Sequence, residues 1–212
     1  MIKLSIIFLI LIFMIVLIFN AKGFKSDLSN EVVLKVNDEE VTLELFEYYL
    51  EKGKEYYEIE AGEDVWETVI DGKEAFSALK DDIADTIIDI KVQVSSAKKA
   101  GIIVESSDFD KVTYNKEDLI EKEYVKDQLY IHKLKDFYYM QYILDEQEFE
   151  KYLEEKHISK ELVTSEVKTD YIKTKSQEVY EKDLENWLLE KEVVVNDKIY
   201  SNILLQSFNN KY

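Results

Sequence analysis

The placement of glycine and proline constrains the fold of this chain more than any other feature. The 212 residues contain no proline, and the last of the five glycines is Gly101. Tight β-turns depend on these two residue types for their backbone angles. The distribution therefore argues against a turn-rich β domain after Gly101 and favours long helices joined by polar loops.

Apolar side chains recur with helical spacing along the chain. The clearest pattern predicts a helix over about residues 73–100. Its buried stripe is formed by residues three or four apart, namely Phe76, Leu79, Ile83, Ile87, Ile90, Val94 and Ala97. Further helices are predicted over about 42–59, with Thr42 as N-cap, over 116–142, from Asp145 to about 156, and over 159–191. In this last helix, residues predicted to point inward include Tyr171, Val179 and Trp187.

Two valine-rich segments near opposite ends of the chain predict short strands. Glu31–Asn37 and Glu192–Asn196 each contain consecutive valines and are followed by aspartate, at Asp38 and Asp197. A lone strand leaves its backbone hydrogen-bonding groups unpaired. The two strands are therefore predicted to pair with each other. Asp197 is predicted to cap a final helix that ends near Leu205.

The N-terminal segment has the pattern of a secretory signal. Lys3 is the only charged residue before Lys22, and residues 4–19 are apolar except for Ser5. At 1.5 Å per residue this run spans roughly 24 Å of helix, slightly short of a ~30 Å hydrocarbon core. Residues 1–23 are predicted to be a signal peptide or an uncleaved signal anchor. The remaining chain is expected to be extracytoplasmic, either attached to the membrane through residues 4–19 or secreted.

Charge and cysteine content exclude several classes of protein. The chain contains 45 acidic and 27 basic residues, all of the latter lysine, for a net charge of −18. Such a surface repels nucleic acid, and no nucleic-acid partner is expected. The chain has no cysteine, which excludes disulfides, thiol chemistry and a lipid-modified cysteine within this sequence.

The sequence offers no recognisable catalytic or metal-binding motif. His132 and His157 lie 25 positions apart, and neither has another histidine or a cysteine at ligand spacing. Asp108 and Asp110 resemble the start of a calcium loop, but the glycine of its sharp turn is missing. No phosphate-binding loop or nucleophile elbow is present. We therefore expect no catalytic residues, no metal and no cofactor.

Four stretches, in chain order, resemble parts of one protein family. They read VVLKVNDEEVT, DIADTIIDIKVQVSSAKKAGIIV, DEQEFEKYLEEK and LENWLLEKEVVVNDKIYSNI. Together they resemble the N-terminal chaperone module of SurA/PrsA-type foldases over about residues 30–205. The resemblance implies a mainly α, multi-helix domain with a small β element. Residues 24–212 would form this one domain, composed of an N-terminal part (30–156) and a returning helix and strand (159–205).

The chain departs from the family where a parvulin-type prolyl isomerase domain often lies. Only Ile158–Glu192 is available there, and these 35 residues contain no glycine or proline. An unaided domain is difficult to stabilise below about 40 residues. The resemblance thus implies an ATP-independent chaperone that holds unfolded exported polypeptides without isomerase catalysis. An adaptor for one specific protein partner and a residual prolyl isomerase are the alternatives.

Aromatic residues are the remaining candidates for a binding function. The chain has 15 tyrosines, ten phenylalanines and two tryptophans. Tyrosine combines rigid apolar area with a polar tip, which suits loose contact with peptides. The candidate peptide-binding residues are Tyr49, Tyr56, Trp66, Phe137, Tyr138, Tyr142 and Trp187. The alternative is that these side chains are core and half-exposed helix surface.

Overall fold

The computed structural model describes residues 31–204, which are mainly helical, as predicted. The seven α-helices of this part of the chain are α1 (Leu43–Ala61), α2 (Ala75–Lys99), α3 (Ser106–Phe109), α4 (Leu119–Gln141), α5 (Glu146–Glu155), α6 (Ser165–Glu190) and α7 (Asp197–Tyr200). Two single turns of 3₁₀-helix lie at Glu63–Glu67 and Lys160–Leu162.

Side-chain caps fix where most of the helices begin. Thr42 accepts a hydrogen bond from the backbone N–H of Leu45 at 3.3 Å, and Asp145 caps α5, so both predicted starts are confirmed. Helix α4 begins three residues later than predicted, because Asp118 is its N-cap. Helix α6 begins later as well, after Thr164, since the preceding residues form a 3₁₀ turn.

The two valine-rich strands pair, as predicted. Strands β1 (Val32–Val36), β2 (Glu39–Thr42) and β5 (Val193–Val195) form an antiparallel sheet in the order β2-β1-β5. The backbone N–H of Asn196 donates to the carbonyl oxygen of Val33 at 2.8 Å. The C-terminal segment is thereby attached to the beginning of the described chain.

A small hairpin between α1 and α2 was not anticipated from the sequence. Strands β3 (Val69–Ile70) and β4 (Lys73–Glu74) pair across Asp71 and Gly72. Both turn residues have positive φ angles, +50° and +81°. Asp-Gly at the centre of a two-residue turn is a strong sequence signal for such a hairpin. The strands are too short to show the alternation that identifies a longer strand.

Three clusters of buried side chains hold the helices together. The first joins the sheet to α1 and α2 and includes Val33, Phe46, Leu79, Ile87 and Ile203. The second joins α2, α4 and α6 through Val94, Ala97, Tyr130, Leu134 and Tyr180. The third lies between α5 and α6 and contains Phe149, Leu153 and Tyr171.

Two local predictions in the C-terminal part were wrong. Val179 was predicted to point inward, but it is 45% exposed and the adjacent Tyr180 is buried instead. A shift of one residue rotates a side chain by about 100° around a helix. The cap of α7 is Asn196, whose side chain accepts from the backbone N–H of Ile199, rather than Asp197. Helix α7 ends at Tyr200.

Residues 158–192 contain one 3₁₀ turn and α6, with no strand among them. This interval therefore holds no separate domain, consistent with the departure from the isomerase-containing family members. Among residues 31–204, no helix is both long enough and apolar enough to cross a membrane. The predicted membrane segment, residues 4–19, and the predicted boundary at residue 23 lie outside the described residues.

Candidate peptide-binding site

One aromatic group lies at the C-terminal end of α1. Tyr57 stacks on Trp66, with ring centroids 6.1 Å apart and planes inclined by 14°. Trp66 donates its indole N–H to Glu58, and Tyr57 donates its hydroxyl to Asp82 at 2.7 Å. This bond to a carboxylate, together with burial, raises the pKa of Tyr57 to about 12. Tyr56 contacts Tyr57 edge-on and is 62% exposed, so it offers an open ring on a fixed support.

A second aromatic group connects α4 and α6. Tyr138 makes edge-to-face contacts with Phe137, Tyr180 and Trp187, at centroid distances of 6.1, 5.5 and 6.3 Å. Its hydroxyl donates to Asp183 at 2.6 Å. Burial and, to a lesser extent, this hydrogen bond raise the pKa of Tyr138. The group therefore mainly holds α4 and α6 together, and Phe137 and Trp187 are half-buried at its edges.

A third aromatic group joins α5 to α6 around Tyr171, which is fully buried. Phe149 and Tyr152 approach its ring at 4.9 and 5.0 Å, and Tyr142 at 6.4 Å. Tyr142 follows the last residue of α4. The group thus anchors the short helix α5 against the long helices, and Tyr142 is half-buried within it.

Tyr49 belongs to a fourth group, with Tyr48 and Tyr124. Its ring lies 5.1 Å from that of Tyr124, and the residue is only 5% exposed. Burial raises the pKa of Tyr49. The structure therefore distributes the seven candidate residues over four groups. It connects Tyr56 and Trp66 only through Tyr57, and it brings Phe137, Tyr138 and Trp187 together, whereas Tyr49 and Tyr142 lie elsewhere.

Exposed apolar side chains near the end of α4 were not among the candidates. Tyr139, Met140 and Ile143 are 39%, 74% and 87% exposed. The sequence places apolar residues of α4 over a wide arc that includes Tyr124, Val125 and Met140, and the exposed side chains extend this arc. The width of that arc was visible in the sequence, but the residues left uncovered depend on where α6 packs.

A charged cavity of about 290 Å³ lies beside β2, between α2 and α4. In its wall, the ammonium group of Lys91 lies 2.6 Å from a carboxylate oxygen of Asp127. Both residues are buried, with 2% and 4% of their surfaces exposed. Burial raises the pKa of Asp127, and the attraction of Lys91 opposes this shift. Removing one partner of such a pair leaves an uncompensated buried charge, so the two residues depend on each other.

The sequence contained a signal for this buried pair. On α4, Asp127 lies three residues after Tyr124 and four before Ile131, which is the spacing of residues on one apolar face of a helix. On α2, Lys91 stands four residues after Ile87 and three before Val94, which is again a buried position. One lysine and one aspartate on two apolar faces predict a buried ion pair if those two faces meet.

Among residues 31–204, no group of three or more histidine, cysteine or carboxylate side chains is arranged to hold a metal ion. His132 lies 3.1 Å from Asp136, one turn further along α4, and is well exposed. His157 has a positive φ of 56° at the end of α5. The expectation that the protein uses no metal or cofactor stays a prediction.

The fold is that of a helical module in which the first and last described strands pair with each other. The family model described as "SurA-like N-terminal domain" matches residues 1–152, and the chain belongs to this family. This establishes the resemblance found in the sequence.

One curated relative shows the same relationship. The "Foldase protein PrsA" of Caldanaerobacter subterraneus subsp. tengcongensis is 29% identical over 153 residues. The aligned part covers 69% of this chain and 50% of the relative. The chain therefore spans about half the length of that foldase. No solved structure matches the chain.

Proposed function

We propose that the protein is an extracytoplasmic, ATP-independent chaperone that binds unfolded or partly folded exported polypeptides without prolyl isomerase catalysis. Membership of the SurA-like N-terminal domain family and the similarity to a protein named as a foldase support a role in folding. The observation that carries the proposal is the set of exposed apolar side chains at the ends of α1 and α4, namely Tyr56, Ile59, Met140 and Ile143.

These side chains suit weak binding to many sequences. Burial of apolar surface gives about 25 cal/mol per Å² and requires no particular partner geometry. Tyr56 also contacts Tyr57 edge-on, and Tyr57 in turn stacks on Trp66 and donates a hydrogen bond to Asp82. A fixed ring loses little conformational entropy when it binds. The net charge of −18 keeps a surface with exposed apolar groups soluble.

We further propose a domain division for the chain and its location at the membrane. Residues 1–23 would be the signal peptide or signal anchor, and 24–212 one chaperone domain. The first cluster of buried side chains joins Val33, near the start of the described residues, to Ile203, near their end, which supports the second part of this division. Retention of residues 4–19 as an anchor would keep the domain where exported chains emerge. Sequencing the N-terminus of the exported protein tests this, since a mature chain starting at Phe24 would instead indicate secretion.

Aggregation assays test the chaperone function directly. Residues 24–212 at several-fold excess should suppress light scattering by an unfolded client without ATP. A Tyr56→Ser/Met140→Ser/Ile143→Ser variant should suppress it less. Leu162→Ser, which removes an exposed apolar side chain from a 3₁₀ turn, is the matched control. No suppression by the unmodified protein would refute the holdase proposal.

Two other outcomes would point to the alternative functions. An adaptor should recover one protein from solubilised membranes, whereas a holdase should recover many. A residual isomerase should accelerate a refolding reaction limited by proline isomerisation. A substantial acceleration would show that residues 158–192, or another part of the chain, carry catalytic activity.

A further inference from the structure

We propose that the cavity between α2 and α4 binds acidic peptide segments in which a carboxylate stands beside an apolar side chain. The inference rests on the proposed function, because it assigns a sequence preference to a chaperone that binds polypeptides. The cavity is lined by residues of β2, α2 and α4, namely Glu39, Lys91, Lys98, Leu119, Lys122, Glu123, Lys126, Asp127 and Tyr130.

Five of the seven charged groups of the cavity are already paired. Lys91 binds Asp127 at 2.6 Å and lies 4.0 Å from Glu123. Lys98 donates to both carboxylate oxygens of Glu39, each at 2.7 Å. These groups form a rigid polar wall, and their partners leave them little capacity for a ligand.

The two remaining charged groups of the cavity are exposed and form no ion pair among residues 31–204. Lys122 and Lys126 lie one turn apart on α4 and are exposed. Neither has an ion-pair partner among residues 31–204, and the Lys122 ammonium lies over the ring of Phe109, 5.7 Å from its centroid. Two unpaired ammonium groups on one face of a strongly acidic chain form a local site for an anion.

The balance of charge selects the kind of anion. Four lysines and three carboxylates line the cavity, which gives a formal charge of +1. One carboxylate matches this charge, whereas a phosphate dianion or a nucleic acid would meet the repulsion of Glu39, Glu123 and Asp127.

Size and apolar contact favour a short peptide segment over a free anion. A volume of about 290 Å³ accommodates an acidic side chain together with part of its neighbour, and it is too small for a folded element. Leu119 lies one turn before Lys122 and is 74% exposed. It would contact an apolar side chain next to the bound carboxylate.

Peptide binding measured by fluorescence anisotropy tests this site. The full chain would be placed in nanodiscs of uncharged phospholipid. It would be titrated with a fluorescein-labelled ten-residue peptide of Gly and Ser that contains two Leu-Asp pairs. The comparison peptide contains Leu-Asn at the same positions. At low salt the Leu-Asp peptide should bind about fivefold to tenfold more tightly, because one bound aspartate forms partly exposed ion pairs with both Lys122 and Lys126.

Variants assign the preference to the cavity. Lys122→Gln/Lys126→Gln should abolish the difference between the two peptides. Lys173→Gln/Lys182→Gln, on α6, changes the net charge equally and should preserve the difference. Equal affinity of the unmodified protein for both peptides would overturn the proposal. So would an equal loss in the two double variants.

The aggregation assay separates this inference from the chaperone proposal. With a client that has no acidic residues, the Lys122→Gln/Lys126→Gln variant should suppress aggregation as well as the unmodified protein does. A chain that binds the Leu-Asp peptide selectively through these lysines but suppresses no aggregation would support the site while refuting the holdase function. A chain that suppresses aggregation but does not distinguish the peptides would refute the site alone.

Discussion

Replacing Lys91 with methionine should remove one member of the buried ion pair between α2 and α4 while filling most of its volume. The two groups are 2.6 Å apart, and 2% and 5% of their side chains are exposed. Loss of one partner leaves an uncompensated buried charge, which costs about 3–5 kcal/mol in other proteins. Since a domain is stable by about 5–15 kcal/mol, Lys91→Met should lower the free energy of unfolding by a large fraction.

The cost should depend on pH in a defined direction. Burial already raises the pKa of Asp127 in the folded protein, and loss of Lys91 should raise it further. A carboxyl whose pKa is higher in the folded than in the unfolded state binds its proton more tightly when folded. Stability of the variant relative to the unmodified protein should therefore rise as the pH falls from 7 to 5. The gain can reach about 1.4 kcal/mol per pH unit at pH values between the folded-state pKa of Asp127 in the unmodified protein and its higher folded-state pKa in the variant.

Urea unfolding followed by tryptophan fluorescence measures both effects. The double variant Lys91→Met/Asp127→Leu should recover most of the lost stability, because an apolar pair replaces the ionic one. Lys73→Met removes an exposed pair with Asp81, both partners being more than 40% exposed, and should cost far less than Lys91→Met. A cost below 1 kcal/mol for Lys91→Met at pH 7, or the same cost at pH 7 and pH 5, would refute the reasoning.

Three further changes test the packing, the sheet and a helix cap. Gly53→Ala should destabilise the protein by about 1–2 kcal/mol, because the added Cβ would lie 2.8 Å from the Cδ1 atom of Ile83 and 2.9 Å from that of Leu79. A stabilising effect in thermal unfolding would show that these two side chains can move aside. Val194→Pro should lower the free energy of unfolding by about 3 kcal/mol or more, because the alternation of hydrogen bonds in the ladder directs the N–H of Val194 towards β1. Val195→Pro is the control and should cost less, because the N–H of Val195 faces away from β1. Asp145→Ala should cost about 1 kcal/mol and loosen the start of α5, as measured by amide hydrogen exchange, and unchanged exchange there would argue against the cap.

The sequence alone determined the class of the fold and much of its local structure. Helical spacing located the long helices, and the short polar side chains of Thr42 and Asp145 predicted two helix starts within one residue. These features are local, because caps and periodicity depend on residues a few positions apart. The pairing of the two valine-rich strands was the one long-range contact predicted. This contact could be predicted because a strand without a partner leaves its backbone hydrogen-bonding groups unpaired.

Tertiary structure decided which of these side chains remain available for binding. Tyr49 and Tyr56 both lie on α1 and look alike in the sequence, yet one is 5% and the other 62% exposed. Their difference depends on the position of α4, which covers Tyr49 through Tyr124. The partner of Lys91 was also undetermined, since a buried position in a pattern does not specify what it faces. Periodicity reports the direction of a side chain relative to its own helix, and only the packing of helices determines what lies in that direction.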